Sequence, residues 1–457
     1  MNELTEPTRI RQGNYEVIYL SIRTEPGVGV RPRRRLPTVR GRWMAAAMLF
    51  VTACAALPPT LTLPELTVTQ PAFQKTLEAF TGAPISGGNH VDILLNGDET
   101  FPVLLKDLRA AKKTITFEAF IFRKSKIGDE IIAVFEQRCR AGVRAAILLD
   151  AHGSENLPAD YVERLRRAGC EVVPDFRPLR PWNLERSNKR NHRRIVVIDG
   201  RIGFTGGYGI DETWNGDGRT KGRWRETNVK LEGPVVQQLQ EAFIEHWKEA
   251  TGALLGTDDY LAYPAVGTQD GPVQAQVIRS SPRRDNYALY EVFLQAISSA
   301  QRSILISTPY LLPGKQMSAA LASAVQRGVT VTALVPSVIR ETWVEYMVQQ
   351  SQREEFGPLL DAGIQIYEYF PALLHTKAMV IDGVWSTIGS MNIDNRSMAL
   401  NDELNVIFYN EQVARRLEEI LKEDLSHSHK ITREQLETRG WSGRLLGLMM
   451  SPLTDQF

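Results

Sequence analysis

The two halves of this 457-residue chain repeat one pattern of helix, glycine and strand, and this repeat constrains the fold more than any other feature. In the first half, the helical pattern FPVLLKDLRAA precedes an apolar strand pattern that begins at Ile115. In the second half, YEVFLQAISSAQ precedes a strand pattern that begins at Ile304. CRAGVRAAILLD then matches VQRGVTVTALVP, and LRRAGCEVV matches LLDAGIQIY. A nearly constant shift over several elements indicates an internal duplication.

Strands that alternate with helices predict an α/β fold in which helices cover a sheet. We expect two similar α/β lobes, residues 71–258 (the first lobe) and 270–425 (the second lobe), related by a pseudo-twofold axis that places equivalent motifs face to face. Residues 1–70 are predicted to be a disordered leader with a signal or anchor segment and a proline-rich linker. Residues 426–457 are predicted to form an amphipathic C-terminal tail.

The leader contains a short apolar run, WMAAAMLFVTAC, which follows the basic stretch RPRRRLPTVRGR and ends at Cys54. A basic stretch before a short apolar stretch is typical of a signal peptide. The run is too short to span a membrane comfortably, since a helical span needs about 20 residues. The residues before Cys54 resemble a bacterial lipobox, which predicts a lipoprotein attached through this cysteine. An uncleaved short anchor remains the alternative.

The other two cysteines, Cys139 and Cys170, lie in helical contexts and outside any CxxC pair. We interpret them as small buried hydrophobic residues, with neither a disulfide framework nor a zinc cluster. The sequence has no HExxH motif and no phosphate-binding loop, so no metal and no cofactor are predicted. The 54 basic and 53 acidic residues nearly cancel, which disfavours a nucleic acid as partner.

One catalytic pattern in the second half is HxKxxxxD, formed by His375, Lys377 and Asp382, with Asn392 ten residues beyond the aspartate. Alternate side chains of a strand share one face, so His375 and Lys377 point the same way. A neutral imidazole can attack phosphorus, and a neighbouring ammonium group stabilises charge on the phosphate oxygens. The amide of Asn392 can donate a further hydrogen bond to those oxygens.

The first half carries the same pattern with His192, Arg194 and Asp199, followed by the glycine-rich run GGYG. Arg194 stands where the second half has lysine, and Gly209 stands where it has Asn392. Arginine keeps the charge and can bind phosphate through two nitrogens, whereas glycine removes a donor. Five other histidines lack this frame and are predicted to be structural: His90, His152, His246, His427 and His429.

These duplicated motifs resemble those of the phospholipase D superfamily, and the stretches ILLDAHGS and RPLRPWNLERSNKRNHRR resemble its bacterial cardiolipin synthase branch. The resemblance covers nearly everything from about residue 90 to the end. It implies one active site between the lobes and a phosphohistidine intermediate, with His192 favoured as nucleophile and His375 as acid and base. It also implies phospholipid substrates, with phosphatidylglycerol the expected one, and transfer of a phosphatidyl group between two such molecules.

The resemblance further implies an acidic partner for each histidine, about thirty positions downstream. Glu226 fits for His192 and Glu403 for His375, so each pair is expected within its own lobe. Asp199 and Asp382 belong to the motif, and we interpret them as structural residues that tie the strand end to the following glycine turn.

Two alternatives remain open for the activity. Hydrolysis of a phosphodiester would use the same intermediate, and the changes at Arg194 and Gly209 would also suit a catalytically degenerate protein that binds lipid. The tail segment ETRGWSGRLLGLMMSPL favours either contact with a membrane surface or a helix that docks on its own protein.

Overall fold

The computed structural model of the chain describes residues 8–12, 15–19, 60–178, 188–256, 259–262, 272–337 and 343–437. Cys54, most of the predicted leader and residues 438–457 of the predicted tail lie outside this part. Within the leader, strands β1 (Thr8–Gln12) and β2 (Tyr15–Tyr19) pair antiparallel. Both contain β-branched residues, and β2 adds two tyrosines, which favour strands. This stretch therefore differs from the disordered chain predicted there.

A single sheet of fifteen strands runs through both lobes. Its strands in the first lobe are β3 (Ser86–Leu95), β4 (Thr114–Ala119), β5 (Arg144–Asp150), β6 (Glu171–Phe176), β7 (Ile195–Ile198), β8 (Ile202–Gly206) and β10 (Thr227–Glu232). Those that follow are β11 (Val273–Ser280), β12 (Ser303–Ser307), β14 (Thr330–Pro336), β15 (Gln365–Tyr369), β17 (Ala378–Ile381), β18 (Trp385–Gly389), β20 (Glu403–Tyr409) and β21 (Ser428–Lys430).

The strand order confirms the prediction of two equivalent lobes. From one edge it reads β6, β5, β4, β7, β8, β10, β3, and then the mirrored series β11, β20, β18, β17, β12, β14, β15, with β21 added at the far edge. In each lobe three strands are parallel and the rest are antiparallel. The lobes join where β3 pairs antiparallel with β11. The pseudo-twofold axis predicted from the repeat thus passes between these two strands.

Helices cover the sheet, and several have clear start and stop signals. Ser125 caps one helix by accepting a hydrogen bond from the backbone of Gly128, and Gly252 ends another with a positive φ of 75°. The helices are α1 (Pro71–Thr81), α2 (Asn96–Ala110), α3 (Lys126–Arg140), α4 (Ala159–Arg167), α5 (Val235–Thr251), α6 (Ala288–Ser298), α7 (Gly314–Gln326), α8 (Trp343–Asp361), α9 (Asn395–Ala399), α10 (Glu411–Ser426) and α11 (Arg433–Glu437).

One hydrophobic cluster of the core crosses between the lobes. It contains Val229 of β10 and Phe243 of α5 from the first lobe, together with Val406 of β20 and Leu417 of α10 from the second. All four side chains are fully buried. Because neither lobe completes this cluster alone, burial of apolar surface holds the two lobes together.

Among the described residues, three short strand pairs lie outside the large sheet. One is the pair of β1 and β2 in the leader, and another joins the lobes. Strand β9 (Trp224–Arg225) pairs parallel with β16 (Leu373–Leu374) of the second lobe. Within the second lobe, β13 (Leu311–Leu312) pairs with β19 (Ile393–Asp394). The two lobes are therefore also hydrogen-bonded to each other directly beside Glu226 and His375.

Cys139 and Cys170 form a disulfide, so the prediction of two separate thiols was wrong. Their Cα atoms lie 5.5 Å apart, and the bond links the end of α3 to the start of β6. Both residues are buried, as expected. Their separation of 31 residues gave no local signal, because the helix and the strand become neighbours only when the lobe folds.

Candidate active site

The two motif histidines enter the site in the same way. His192 lies three residues before β7 and His375 three residues before β17, and both strands are buried in the middle of their half of the sheet. The two histidines are only 8% and 9% exposed. Each backbone N–H is bound by a carbonyl oxygen of the opposite lobe. The fold thus fixes the backbone of each histidine from across the lobe interface.

Each histidine is paired with the glutamate of the other lobe, and the expected pairing within one lobe was wrong. The Nδ1 atom of His192 lies 2.9 Å from Oε1 of Glu403. The Nδ1 atom of His375 lies 2.6 Å from Oε2 of Glu226. Both carboxylates are fully buried. Both predicted glutamates lie beside a motif histidine, but which histidine each one contacts depends on how the lobes dock, which the spacing along the chain does not encode.

The predicted cations lie against the two imidazoles. Nη2 of Arg194 is 3.0 Å from Nε2 of His192, whereas Nζ of Lys377 is 2.7 Å from Nδ1 and 2.9 Å from Nε2 of His375. Each cation also donates to the backbone carbonyl of its own histidine. Arg194 therefore occupies the position that lysine holds in the second motif.

Burial dominates the acid–base properties of the site. It holds the pKa of both imidazoles well below the ordinary value, and the charges of Arg194 and Lys377 lower these pKa values further. Burial also lowers the pKa of Lys377 to about 7 and raises that of Glu403 to about 8. The lowered pKa values favour neutral imidazoles, the form that a nucleophile needs, whereas a histidine that acts as an acid must first take up a proton.

The two histidines influence each other electrostatically. A positive charge on His192 lowers the pKa of His375, and Arg194 acts on His375 as Lys377 does on His192. Each motif histidine also contacts the glutamate that follows the other motif, so the two motifs share one site. The negative charges of Glu226 and Glu403 act on both cations and oppose the lowering of their pKa values by burial.

Small residues make room for the glutamates. A side chain at Gly207 would begin 2.5 Å from Oε2 of Glu226, so glycine is required there. At the equivalent place in the second lobe, the hydroxyl of Ser390 donates to Glu403. Ser390 was not predicted as a functional residue, although the repeat aligns it with Gly207.

Gly209, which replaces the expected asparagine, is explained by an indole ring. A Cβ atom there would lie 2.8 Å from a ring carbon of Trp214. The indole N–H of Trp214 points to Oε2 of Glu226, 3.4 Å away. Asn392, by contrast, is buried and hydrogen-bonded to Asp394. The two halves thus differ because an aromatic ring fills the space in the first lobe.

Aromatic side chains form the walls beside the histidines. The ring centroid of Phe120 is 5.0 Å from that of His192, and those of Trp214 and Trp224 are 5.4 and 4.8 Å from that of His375. These rings exclude water and lower the local dielectric constant, which strengthens the electrostatic interactions inside.

Asp199 and Asp382 hold the strand ends. Both have left-handed backbones, with φ of 52° and 55°. The carboxylate of Asp199 accepts hydrogen bonds from the backbone of residues 112–114, and that of Asp382 from residues 301–303. These bonds fasten β7 to the start of β4 and β17 to the start of β12. The partners of both carboxylates in these hydrogen bonds are backbone N–H groups, not the imidazoles.

The comparisons with known proteins agree with this geometry. The family model described as "Cardiolipin synthase, PLD-like domain" matches residues 104–247 and 293–425, one segment in each lobe. This chain belongs to that family. It is therefore an enzyme of the phospholipase D superfamily, with one copy of the domain's motif in each matched segment.

Individual members of the family cover most of the chain. A cardiolipin synthase of Geobacillus kaustophilus is 36% identical over 374 residues, which are 81% of this chain and 73% of that protein. Cardiolipin synthase 2 of Bacillus cereus is 37% identical over 364 residues, covering 79% of this chain and 70% of the relative.

Solved structures support the fold of the family at lower identity. Phosphatidylserine synthase of Haemophilus influenzae superposes with a TM-score of 0.62 and 15% identity, covering 84% of this chain and 98% of that one. Such identity supports the shared architecture alone.

The described residues hold no group of three or more histidine, cysteine, aspartate or glutamate side chains arranged to bind a metal. Among the same residues, every helix is too short or too polar to cross a bilayer.

Proposed function

We propose that this enzyme is a phosphatidyltransferase of the cardiolipin synthase type, which converts two phosphatidylglycerol molecules into cardiolipin and glycerol. The observation that carries the proposal is the pair of histidine–glutamate contacts that cross the lobe interface, each beside a cation. The cardiolipin synthase activity for which the relatives are named supports the substrate class. All six residues of these contacts lie within the two segments that the family model matches.

In the first step, Nε2 of His192 attacks the phosphorus of one phosphatidylglycerol. The bond from phosphorus to the glycerol headgroup breaks, and His375, protonated on Nε2, gives its proton to the leaving oxygen. The phosphatidyl group is now bound to His192, and glycerol leaves. Hydrogen bonds from Nδ1 to Glu403 and Glu226 keep each ring oriented with Nε2 toward the phosphorus.

In the second step, a hydroxyl group of the second phosphatidylglycerol gives its proton to His375 and attacks the same phosphorus. The bond from phosphorus to His192 breaks, which releases cardiolipin and returns both histidines to their first state. Attack by water instead would give phosphatidic acid. The acceptor alone therefore separates transfer from hydrolysis.

Arg194, Lys377 and Asn392 are proposed to stabilise the phosphate oxygens in both steps. The two cations lie beside the histidines, where charge develops in the transition state. The amide of Asn392 adds a donor in the second lobe only, because Gly209 has no side chain.

Purified protein incubated with labelled phosphatidylglycerol in vesicles tests the activity. We expect cardiolipin and glycerol in equal amounts, measured by mass spectrometry. His192→Ala and His375→Ala are each expected to lower turnover by at least about 10³-fold, whereas His90→Ala, at an exposed histidine of β3, leaves it unchanged. Phosphatidic acid as the main product would replace transfer by hydrolysis, and full activity of His192→Ala would exclude the two-histidine mechanism.

Attachment to the membrane surface is proposed to occur through a lipid on Cys54, which lies outside the described residues. The basic and apolar stretches before this cysteine support the proposal. In cells, Cys54→Ser is expected to change the mass of the mature protein and to move part of it from the membrane to the soluble fraction. An unchanged mass and an unchanged distribution would contradict lipid attachment.

A further inference from the structure

The residue before each catalytic glutamate links the two lobes in a second way. These residues are Arg225 before Glu226 and Asp402 before Glu403. The carbonyl oxygen of Arg225 accepts the backbone N–H of His375 at 2.8 Å, and that of Asp402 accepts the N–H of His192 at 2.9 Å. In both places the strand directions are parallel. Each glutamate and its preceding residue thus hold the same histidine by side chain and by backbone.

The side chains of these two residues form buried ion pairs across the lobe interface. Nε of Arg225 lies 2.8 Å from Oδ1 of Asp424, on helix α10 of the second lobe. Oδ2 of Asp402 lies 2.8 Å from Nε2 of His246, on helix α5 of the first lobe. All four residues are at most 3% exposed. Helix α5 follows strand β10 and helix α10 follows strand β20, which are equivalent strands of the two lobes.

The two ion pairs are equivalent by position but opposite in sign. The residue before the glutamate is a cation in the first lobe and an anion in the second, and its partner on the opposite helix is reversed accordingly. His246 is further held by Glu118, whose Oε1 lies 2.7 Å from Nδ1, and Arg177 also contacts Asp402, at 2.6 Å. When the imidazole is protonated, His246 and Arg177 together supply two positive charges against the carboxylates of Glu118 and Asp402.

We propose that the two ion pairs are separate positioning devices for the two catalytic histidines: Asp424 positions His375 through Arg225, and His246 positions His192 through Asp402. The chain of contacts is continuous in each case, from helix to ion pair, from ion pair to carbonyl oxygen, and from carbonyl oxygen to histidine backbone. The side-chain hydrogen bonds of Asp424 and His246 go to Arg225, Glu118 and Asp402 rather than to His192 or His375. The proposal deepens the proposed function and rests on it for its kinetic part only.

A matched control exists on the same helix. Glu423, next to Asp424, also forms a cross-lobe ion pair, with Arg219 at 3.0 Å, but both side chains are more than half exposed. This pair joins the lobes without contacting a residue that holds a histidine. Loss of a general link between the lobes can therefore be separated from loss of positioning.

The kinetic experiment compares Asp424→Asn, His246→Gln and Glu423→Gln. We expect the first two to lower kcat by about 10- to 100-fold with KM within about twofold, since small displacements of reacting groups cost this much. Glu423→Gln is expected to keep wild-type kcat. Asp424→Glu keeps the negative charge but moves the carboxylate by one methylene group, so its kcat is expected to lie between those of Asp424→Asn and the wild type.

The spectroscopic experiment needs no substrate. In protein labelled with nitrogen-15 histidine, the downfield protons on Nδ1 of His192 and His375 are assigned by their loss in the alanine variants. Asp424→Asn is expected to shift the His375 resonance alone, and His246→Gln the His192 resonance alone. Glu423→Gln should shift neither.

These readouts separate failure of positioning from failure of the proposed function. Selective shifts without cardiolipin formation by the wild type would uphold positioning and reject the activity. Shifts of both resonances by either variant, or of neither, would overturn the proposal. If Asp424→Asn does not fold, the same resonances are read in Asp424→Glu, whose longer side chain displaces Arg225 while keeping the charge. A selective shift of the His375 resonance then supports the proposal, and the absence of such a shift overturns it.

Discussion

At the scale of single residues, the two motifs use different means to build one site. Burial lowers the pKa of the Lys377 ammonium group to about 7, but it lowers that of the Arg194 guanidinium group only to about 10. Arginine therefore keeps its charge over a wider pH range. One side of the phosphate would then be held by a permanent charge and the other by a charge that titrates near neutrality.

The lysine should set an alkaline limit for the free enzyme. As pH rises through about 7, Lys377 loses its proton and its positive charge, so kcat/KM is expected to fall. In Lys377→Arg the charge persists, and the fall should move to higher pH by at least about one unit. The measurement is the pH profile of kcat/KM for both proteins. An identical alkaline limb in the variant would show that another group sets this limit.

Gly209 should be required for packing around Trp214. Gly209→Ala places a methyl group 2.8 Å from the indole ring, so we expect a loss of about 1–3 kcal/mol in the free energy of unfolding. Gly256→Ala is the control, because nothing lies within 4 Å of a Cβ atom there. Chemical denaturation measures both variants. Equal stability of Gly209→Ala and wild type would mean that the ring moves aside.

The sequence predicted the residues of the site better than their contacts. The paired motifs identified His192, His375 and the cations because their spacing is local. The glutamates were found from their distance along the chain, but this distance assigned each to the wrong histidine. His246 was interpreted as structural, since its partner Asp402 is 156 residues away and only the docked lobes bring them together.

At the scale of elements, the lobe architecture followed from helix and strand patterns, while the links between elements did not. Alternation of apolar strands and amphipathic helices predicted the α/β layers. The disulfide between α3 and β6 closes a loop over 31 residues and left no trace in the spacing of the cysteines. A covalent link of this kind acts mainly on the unfolded chain.

Removal of the disulfide should lower stability more than activity. By the loop-closure estimate, Cys139→Ser with Cys170→Ser is expected to lose about 3–4 kcal/mol in unfolding free energy. Urea titration measures the loss, and a thiol reductant should reproduce it in the wild type without affecting the double variant. Alkylation of both cysteines in the untreated, unfolded protein would contradict the bond.

At the scale of the whole molecule, the two lobes are one folding unit. The sheet continues from β3 to β11, and the cluster around Val229 and Val406 contains residues of both lobes. Each motif histidine contacts a glutamate of the other lobe. A single lobe therefore lacks both a complete core and a complete site.

Cleavage between the lobes should leave the enzyme assembled. We expect a protease site inserted at residues 263–271 to be cut without loss of activity, because the joined sheet and the buried contacts hold the parts together. Size-exclusion chromatography should show both fragments in one peak. Residues 60–262 and 272–457 expressed alone are expected to be inactive, and co-expression should restore activity. Separate elution of the fragments, or turnover by either one alone, would refute this.

The mirrored sheet within a single polypeptide has a consequence for how the halves can change. In a symmetric dimer every substitution appears twice, so a ring placed beside one imidazole would stand beside the other as well. Here Trp214 packs against Gly209 in the first half, whereas the second half has Asn392 at the position equivalent to Gly209. The ion pairs behind the two histidines also carry reversed signs. Covalent joining thus allows each half to change alone, as the proposed division between attack and proton transfer requires.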